Sequence, residues 1–413
     1  MSAVAKTVSQ GPEGTPLERV AQLADVIRAG GDEAQQLRRA PASTIDALID
    51  AGLFRFAIPR ALGGEDASVR ETIEVLEAIS AIDASIGWNV MLGSEINAMA
   101  AGGMAPDLAK EVFIDNPRVV MCGGGGPGSE FGRAVAQPDG GYRVWGRSTF
   151  ISGCHNSEWC FMPAPIFDGD APRIVNGAPV VRTFFLNRRD WQIVDTWDMA
   201  ALRGSGSHDV LAEGAYVPPR FADVELMALP ARHENPVFRI PVPLRLAYNK
   251  AAIGTGIARG ALDAFGELAR YKKPLMSAVP MKDKPGVQQI VGECEAMLRA
   301  ARAFMFEAME AVEAELRAGR DLPSGPATQH ARLACVFAAD TSRKVVDELH
   351  ATAGTSAARM DSPLERKLRD AHGAASHRWV SRPLYADLGR VFLGDPPDAE
   401  FAGGSAGPVL GGK

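Results

Sequence analysis

Apolar residues recur along this chain with two different periods, and the switches between them divide it into three stretches. Near the start, Leu17, Val20, Leu23, Ala24 and Ile27 fall on one face of a helix, and Ser43 stands where it would cap a second helix carrying Ile45, Leu48 and Ile49. Pro59 and the pair Gly63-Gly64 break the pattern, which Ile73, Leu76, Ile79 and Ile82 resume. The segment SIGWNVMLGSEINAMAAGG that follows is helical in pattern but unusually bare, and small residues admit a close neighbour, either a helix or a ligand. From Arg118 to about Ala222 the period becomes two: RVVMC, FGRAVAQ, GYRVWG, WCFMPAPIF, VVRTFFL, WQIVDTW and DVLAEGAYV are each bounded by Gly, Pro, Asn or Asp. This predicts a run of antiparallel strands. A loop rich in Pro and charge leads to about Pro243, and from Leu244 the helical period returns. Val287, Ile290, Val291, Cys294, Met297, Leu298, Ala301, Met305, Ala308, Val312 and Leu316 hold one stripe over roughly eight turns. Leu333, Val336, Val345, Val346 and Leu349 form a second stripe to pack beside it. The expected layout is a disordered start (1–16), a helical domain (17–117), a β domain (118–230), a helical bundle (231–397) and a flexible Gly-rich tail (398–413), an α+β chain.

Composition narrows the classes of function. With 413 residues, 46% of them hydrophobic, the chain can bury more than one core and a large cofactor. Its net charge of -6, with acids and bases interspersed, argues against nucleic acid or an anionic membrane surface as the main partner. Five cysteines form no CxxC pair, and there is neither an apolar leader nor a run of about 18 apolar residues, so a reduced, cytoplasmic protein is expected. The histidines and cysteines show no metal-ligand spacing. Gly254, Gly256 and Gly260 imitate a dinucleotide fingerprint, but no strand precedes them, and close helix packing is the expected role. The terminal GPVLGGK has the outline of a phosphate loop without the Ser/Thr or the helix it needs.

The stretch GYRVWGRSTFISGCHNSEW carries the first candidate chemistry. It begins as a strand and, after Phe150 at an apparent core position, gathers Thr149, Ser152, Gly153 and Asn156, an ending suited to laying backbone and a hydroxyl against a flat ligand. Arg203-Gly204-Ser205-Gly206-Ser207 reads either as a phosphate cradle or as a turn into the next strand. Trp145 is a core residue or a platform for a cofactor. On a helix over 364–380, Arg366, Asp370 and His377 would share one face, whereas His372 would stand about 140° away from His377.

Taken in order, GGYRVWGRSTFISGC, WDMAALRGSGSHDV, AAIGTGIARGALDAFGELA and SPLERKLRDAHGAASH resemble the acyl-CoA dehydrogenase superfamily across nearly the whole chain, and within it the flavin-dependent monooxygenases. That resemblance implies an N-terminal α domain, a central antiparallel β barrel and a C-terminal four-helix bundle, usually assembled as a homotetramer. Arg369 and Asp370 match the RD of the dehydrogenase motif, but Arg378 falls near the place of the glutamate that takes the acyl α-proton, and the nearby His377 matches the monooxygenases' histidine. Phe150-Ile151-Ser152 matches the motif whose hydroxyl meets flavin N5. The resemblance thus implies reduced FMN or FAD (FMNH2 or FADH2) with O2 as co-substrate, a C4a-hydroperoxide, and a separate NAD(P)H:flavin reductase. It implies His377 and Ser152 as catalytic groups, and Phe150, Ser152, Gly153, Arg203, Ser205, Ser207 and Trp145 toward the cofactor. The bare helix lacks the extra histidine of several phenol hydroxylases and offers Glu95 and Asn97 instead; these, with His372, are the candidates on the substrate side. An acyl thioester dehydrogenase drawing its carboxylate from Glu95, or a non-catalytic flavin-binding homologue, are the alternatives.

Overall fold

The computed structural model describes residues 13–126, 128–222, 224 and 232–396. Of the expected disordered start (1–16), residues 1–12 lie outside them, as does the expected tail (398–413), whereas Thr15 and Pro16 already cap and begin the first helix. Six helices open the chain: α1 (Pro16–Gln22), α2 (Ala24–Leu37), α3 (Ala42–Asp50), α4 (Val69–Ile82), α5 (Ala84–Gly103) and α6 (Pro106–Phe113). Their starts follow from local chemistry. Thr15 with Glu18, and Ser68 with Glu71, close reciprocal capping boxes on α1 and α4, and Asp83 accepts from the Ile86 amide to start α5. Ser43 does not cap α3; Pro41 occupies the cap position, its fixed φ turning the chain into the helix. Helix α5 is buried on almost every side, which is why it is built from small residues.

The strands are β1 (Met121–Gly123), β2 (Glu130–Ala136), β3 (Tyr142–Ile151), β4 (Trp159–Asp168), β5 (Ala171–Pro172), β6 (Ile174–Val175), β7 (Ala178–Pro179), β8 (Val181–Asn187), β9 (Gln192–Val194) and β10 (His208–Val217). The main sheet runs β1-β4-β2-β3-β10-β9, with β8 and β5 also on β4. Antiparallel pairs predominate, but β4 runs parallel to both β1 and β2, so the sheet is mixed. Strand β9 is shorter than the alternation of WQIVDTW implies. Its continuation leaves the ladder because the Thr196 and Trp197 amides both donate to His208 Nδ1. Where β3 pairs with β10 the register slips between His208 and Val210, next to Ser152, and such a bulge re-aims the side chains beside it.

After α7 (Pro219–Ala222) come α8 (Val242–Tyr271), α9 (Pro285–Arg317), α10 (Gly325–Ala353), α11 (Pro363–Ala375) and α12 (Leu384–Phe392). Helix α8 packs on α4, α9, α10 and α11 and is the axis of the helical half. Gly256 and Gly260 permit its contact with α4: a Cβ on Gly256 would stand 2.5 Å from the Glu77 carbonyl oxygen, and one on Gly260 2.1 Å from that of Ala81. Two large buried clusters result, one holding the helices together and one under the sheet. No helix among the described residues is long and apolar enough to cross a membrane.

Candidate active site

The seam where β3 ends, α5 passes and α11 stops brings together residues distant in sequence. Trp88, on the first half of α5, donates its indole N–H to Ser152 Oγ at 3.1 Å, and its ring meets that of His377 edge-on at 5.7 Å between centroids. Ser152 Oγ lies 2.7 Å from Ser207 Oγ, which lies 2.6 Å from Ser205 Oγ, and all three hydroxyls are buried. Indole is a donor only, so Ser152 accepts from Trp88; its own proton is free to turn toward Ser207 or outward, and the serine chain can reverse its polarity to suit. A hydroxyl that can act either way at a ligand's edge is the result.

Helix α11 ends at Ala375, and His377 sits in the turn beyond it, its amide bonded to the Ala374 carbonyl. The expected face shared by Arg366, Asp370 and His377 is therefore cut short before the histidine. Although part of its surface is open, the His377 pKa is pushed down to about 3, by burial first and then by the charges of Lys250 and Arg378. The ring is neutral at neutral pH. The Trp379 amide donates to its Nδ1 at 3.4 Å, which puts the proton of the neutral ring on Nε2.

The arginine-aspartate pair of α11 holds the glycine-serine loop in place. Asp370 Oδ1 accepts from the Leu202 amide at 2.6 Å, and Arg369 donates to the Ala200 carbonyl oxygen while its guanidinium is gripped by Glu365 at 2.6 and 2.8 Å. Leu202 is held at φ +48°, a left-handed conformation costly for a leucine. Asp370 is buried, and burial together with the nearby Asp83 raises its pKa to about 7. Arg203 is consumed within the loop and its neighbour: it donates to the Gln35 carbonyl at 2.9 Å, to Asp198 at 2.8 Å and to the Met199 carbonyl at 3.2 Å. Of the five residues Arg203 to Ser207, the serines face Ser152 and the arginine faces away.

Phe150 is not in the core. It is 47% exposed at φ +60°, with its ring edge-on to Trp197 at 5.7 Å. Gly126 lies against it so closely that a Cβ there would come within 2.8 Å of the ring. Gly153, at φ +71°, donates its amide to the Ser205 carbonyl and ties the two serine segments together. Trp145 lies beneath the Arg133 guanidinium at 5.1 Å and over Gly214, with no contact to the serine chain.

The substrate-side candidates divide. Glu95 is buried and receives Lys250 Nζ at 2.6 and 2.8 Å and the Asn249 amide at 2.8 Å, close enough to the seam for Lys250 to act on His377. Asn97 points to the other side of α5, where it donates to the carbonyls of Phe54 and Val119, both at 3.1 Å. His372 pairs with Asp347 at 2.8 Å on the exposed side of α10, apart from the seam. Trp88, Asn249 and Lys250 were not singled out in the sequence. A lysine and an asparagine on an otherwise apolar helical face were the available signal. Behind Ser152, Asn89, Gly93, Val120 and Asn156 help enclose a narrow space, part of it open to solvent.

The donor set suits a flavin. An exposed aromatic ring and bare backbone offer a flat apolar contact, and a buried hydroxyl of reversible polarity stands beside them. Residues 248–382 match the family model for the acyl-CoA dehydrogenase C-terminal domain. The indole-3-acetate monooxygenase of Pseudomonas putida is 28% identical over 396 residues, 96% of this chain and 97% of that protein. The oxygenase component of the FADH2-dependent resorcinol hydroxylase of a Rhizobium species is also 28% identical, over 97% of this chain and 99% of its own. Over nearly its whole length the chain is thus similar to flavin-dependent monooxygenases, and its C-terminal third matches the acyl-CoA dehydrogenase family. The solved structure of XiaF from a Streptomyces species, in complex with FADH2 and glycerol, has the same fold as this chain, with a TM-score of 0.83 at 24% identity, over 93% of this chain and 96% of that one. The acyl-CoA dehydrogenase-like α+β fold is thus that of the superfamily, while the carboxylate a dehydrogenase would need is not free: Glu95 is held by Lys250 and Asn249.

Proposed function

We propose that this protein is the oxygenase component of a two-component flavin-dependent monooxygenase, which puts one atom of O2 on an aromatic or otherwise electron-rich small molecule. The observation that carries this reading is the meeting of both Ser152 and His377 with one indole ring, that of Trp88. Reduced flavin, FMNH2 or FADH2, when bound supplies the electrons that activate O2 and is delivered by a separate NAD(P)H:flavin reductase. Ser152, with Phe150 and Gly153, would hold it. Ser152 Oγ would donate or accept a hydrogen bond to the bound flavin, steadied by Trp88 and by the reversible chain through Ser207 and Ser205. Trp88, buried beside it, would help keep water from that hydroxyl. His377 contributes a neutral imidazole. With Nδ1 engaged and protonation opposed by Lys250, its Nε2–H donates to a substrate heteroatom as charge develops there, so holding that atom is the role the geometry favours over storing a proton. The relatives' names make indole-3-acetate and resorcinol the first compounds to try. The protein is further proposed to act in the cytoplasm, consistent with five buried cysteines without disulfides, and as a homotetramer, for which the exposed Leu275, Met276 and Leu393 offer apolar surface.

The test supplies NADH, a flavin reductase, FAD or FMN, and 18O2. Substrate-dependent oxygen uptake with one labelled atom in an organic product is expected. Bleaching of oxidised flavin by an acyl-CoA in the absence of oxygen would establish the dehydrogenase instead.

A further inference from the structure

One turn before Asn249, helix α8 carries a cation that no described residue neutralises. Arg245 is 6% exposed, its Nε is buried without a hydrogen-bond partner, and it forms no ion pair. Its i, i+4 spacing puts it on the same face as Asn249, whose amide is fixed by Glu95. Because a carboxylate only accepts, the Asn249 nitrogen must be the atom facing Glu95, and its Oδ1 is left buried and unsatisfied. A donor and an acceptor one turn apart on the same helix face are therefore left without partners, an arrangement proteins avoid unless something fills it. Charge tells the same story. Two cations, Arg245 and Lys250, share this seam with one carboxylate, Glu95, a surplus of one positive charge in a buried setting where an unpaired ion is expensive. Five residues separate Arg245 from Lys250, the lysine whose charge reaches His377. That is about 7.5 Å along the helix and about 140° round it, so the two cations flank the face that Asn249 presents to Glu95.

We propose that Arg245 seats a carboxylate of the substrate, with Asn249 Oδ1 accepting from a ligand N–H or O–H, so that the preferred substrates are aromatic monoacids lying between Arg245 and His377. A single surplus charge matches one carboxylate better than a doubly charged phosphate. The inference rests on the oxygenase reading only for calling this ligand the substrate.

The test measures binding by equilibrium dialysis to the protein loaded anaerobically with reduced FAD. The probes are matched pairs: indole-3-acetate with indole-3-acetamide, and 4-hydroxybenzoate with 4-hydroxybenzamide. At least one acid is expected to bind about 10- to 100-fold tighter than its amide, and Arg245→Met to abolish the preference. Melting of the ligand-free chain gives a second readout. Removing an unpaired buried charge should leave Arg245→Met melting no lower than the parent, whereas a structural arginine would be missed. Equal binding of acids and amides, failure of both acids to bind, a preference that survives Arg245→Met, or a lowered melting temperature would each overturn the proposal. Arginine-dependent acid binding without oxygenation of any probe would leave the anion site standing and count against the oxygenase reading. Oxygenation of acids and amides alike, by parent and variant, would do the reverse.

Discussion

Replacing Lys250 by methionine isolates the buried charge pair that borders the site. Lys250 and Glu95 have side chains 2% and 3% exposed, and Nζ lies 2.6 and 2.8 Å from the two carboxylate oxygens. Methionine keeps most of the volume but removes both charge-assisted hydrogen bonds, leaving Glu95 with the Asn249 amide alone. A buried carboxylate stripped of its counter-ion costs on the order of 3–5 kcal/mol, a large fraction of the roughly 5–15 kcal/mol that holds a domain folded. Glu95→Gln in the Lys250→Met background removes the stranded charge and should recover most of the loss, a non-additivity that defines the pair. Urea denaturation of the parent, both single variants and the double variant measures all four corners. A second consequence concerns the chemistry. The Lys250 charge helps hold the His377 pKa down, so its removal should move the imidazole titration, followed by NMR, to higher pH. Lys250→Met within about 1 kcal/mol of the parent, or an unmoved His377, would refute the reasoning.

Two further outcomes follow from the packing around the site. Asp370 has a folded pKa near 7 against about 3.9 unfolded; a raised acid pKa contributes stability that is full below about pH 4 and lost as pH rises through 7, so Asp370→Asn should gain on the parent across that window, and a pH-independent difference in denaturation midpoints would contradict it. Gly256→Ala should cost about 1–3 kcal/mol in the same denaturation assay despite the better helix propensity of alanine, because its Cβ would meet backbone atoms of Glu77; a neutral or stabilising effect would show that α4 and α8 can separate.

Much of this fold was legible because apolar period and capping chemistry are local. The long stripe from Val287 to Leu316 became α9, and the alternating segments became strands in the expected places. Ser43 and Phe150 read differently in the sequence because their surroundings are set by neighbours: Pro41 already starts α3, and the bulge beside Ser152 and the left-handed φ turn Phe150 outward. Ser152 and His377 could be named from motif resemblance, but their shared partner Trp88 sits in the bare helix, where no motif marks it. Lys250, Asn249 and Arg245 were hidden for a different reason. A polar residue on a helix reads as solvent-facing unless tertiary packing is known, and here all three are buried, Lys250 and Asn249 against Glu95 of α5. The motif arginines show the converse. Arg203 resembles a ligand residue in one dimension, and in three its guanidinium is spent on Gln35, Asp198 and Met199.

The most direct test of the central claim is rapid mixing of the protein, loaded anaerobically with reduced FAD or FMN, with oxygenated buffer while near-ultraviolet absorbance is followed. A long-lived oxygenated flavin species is expected, decaying faster to oxidised flavin and hydrogen peroxide in Ser152→Ala, where the hydroxyl linking Trp88 to Ser207 is lost. Immediate return to oxidised flavin in the parent with both flavins, or a decay unchanged by Ser152→Ala, would contradict the account.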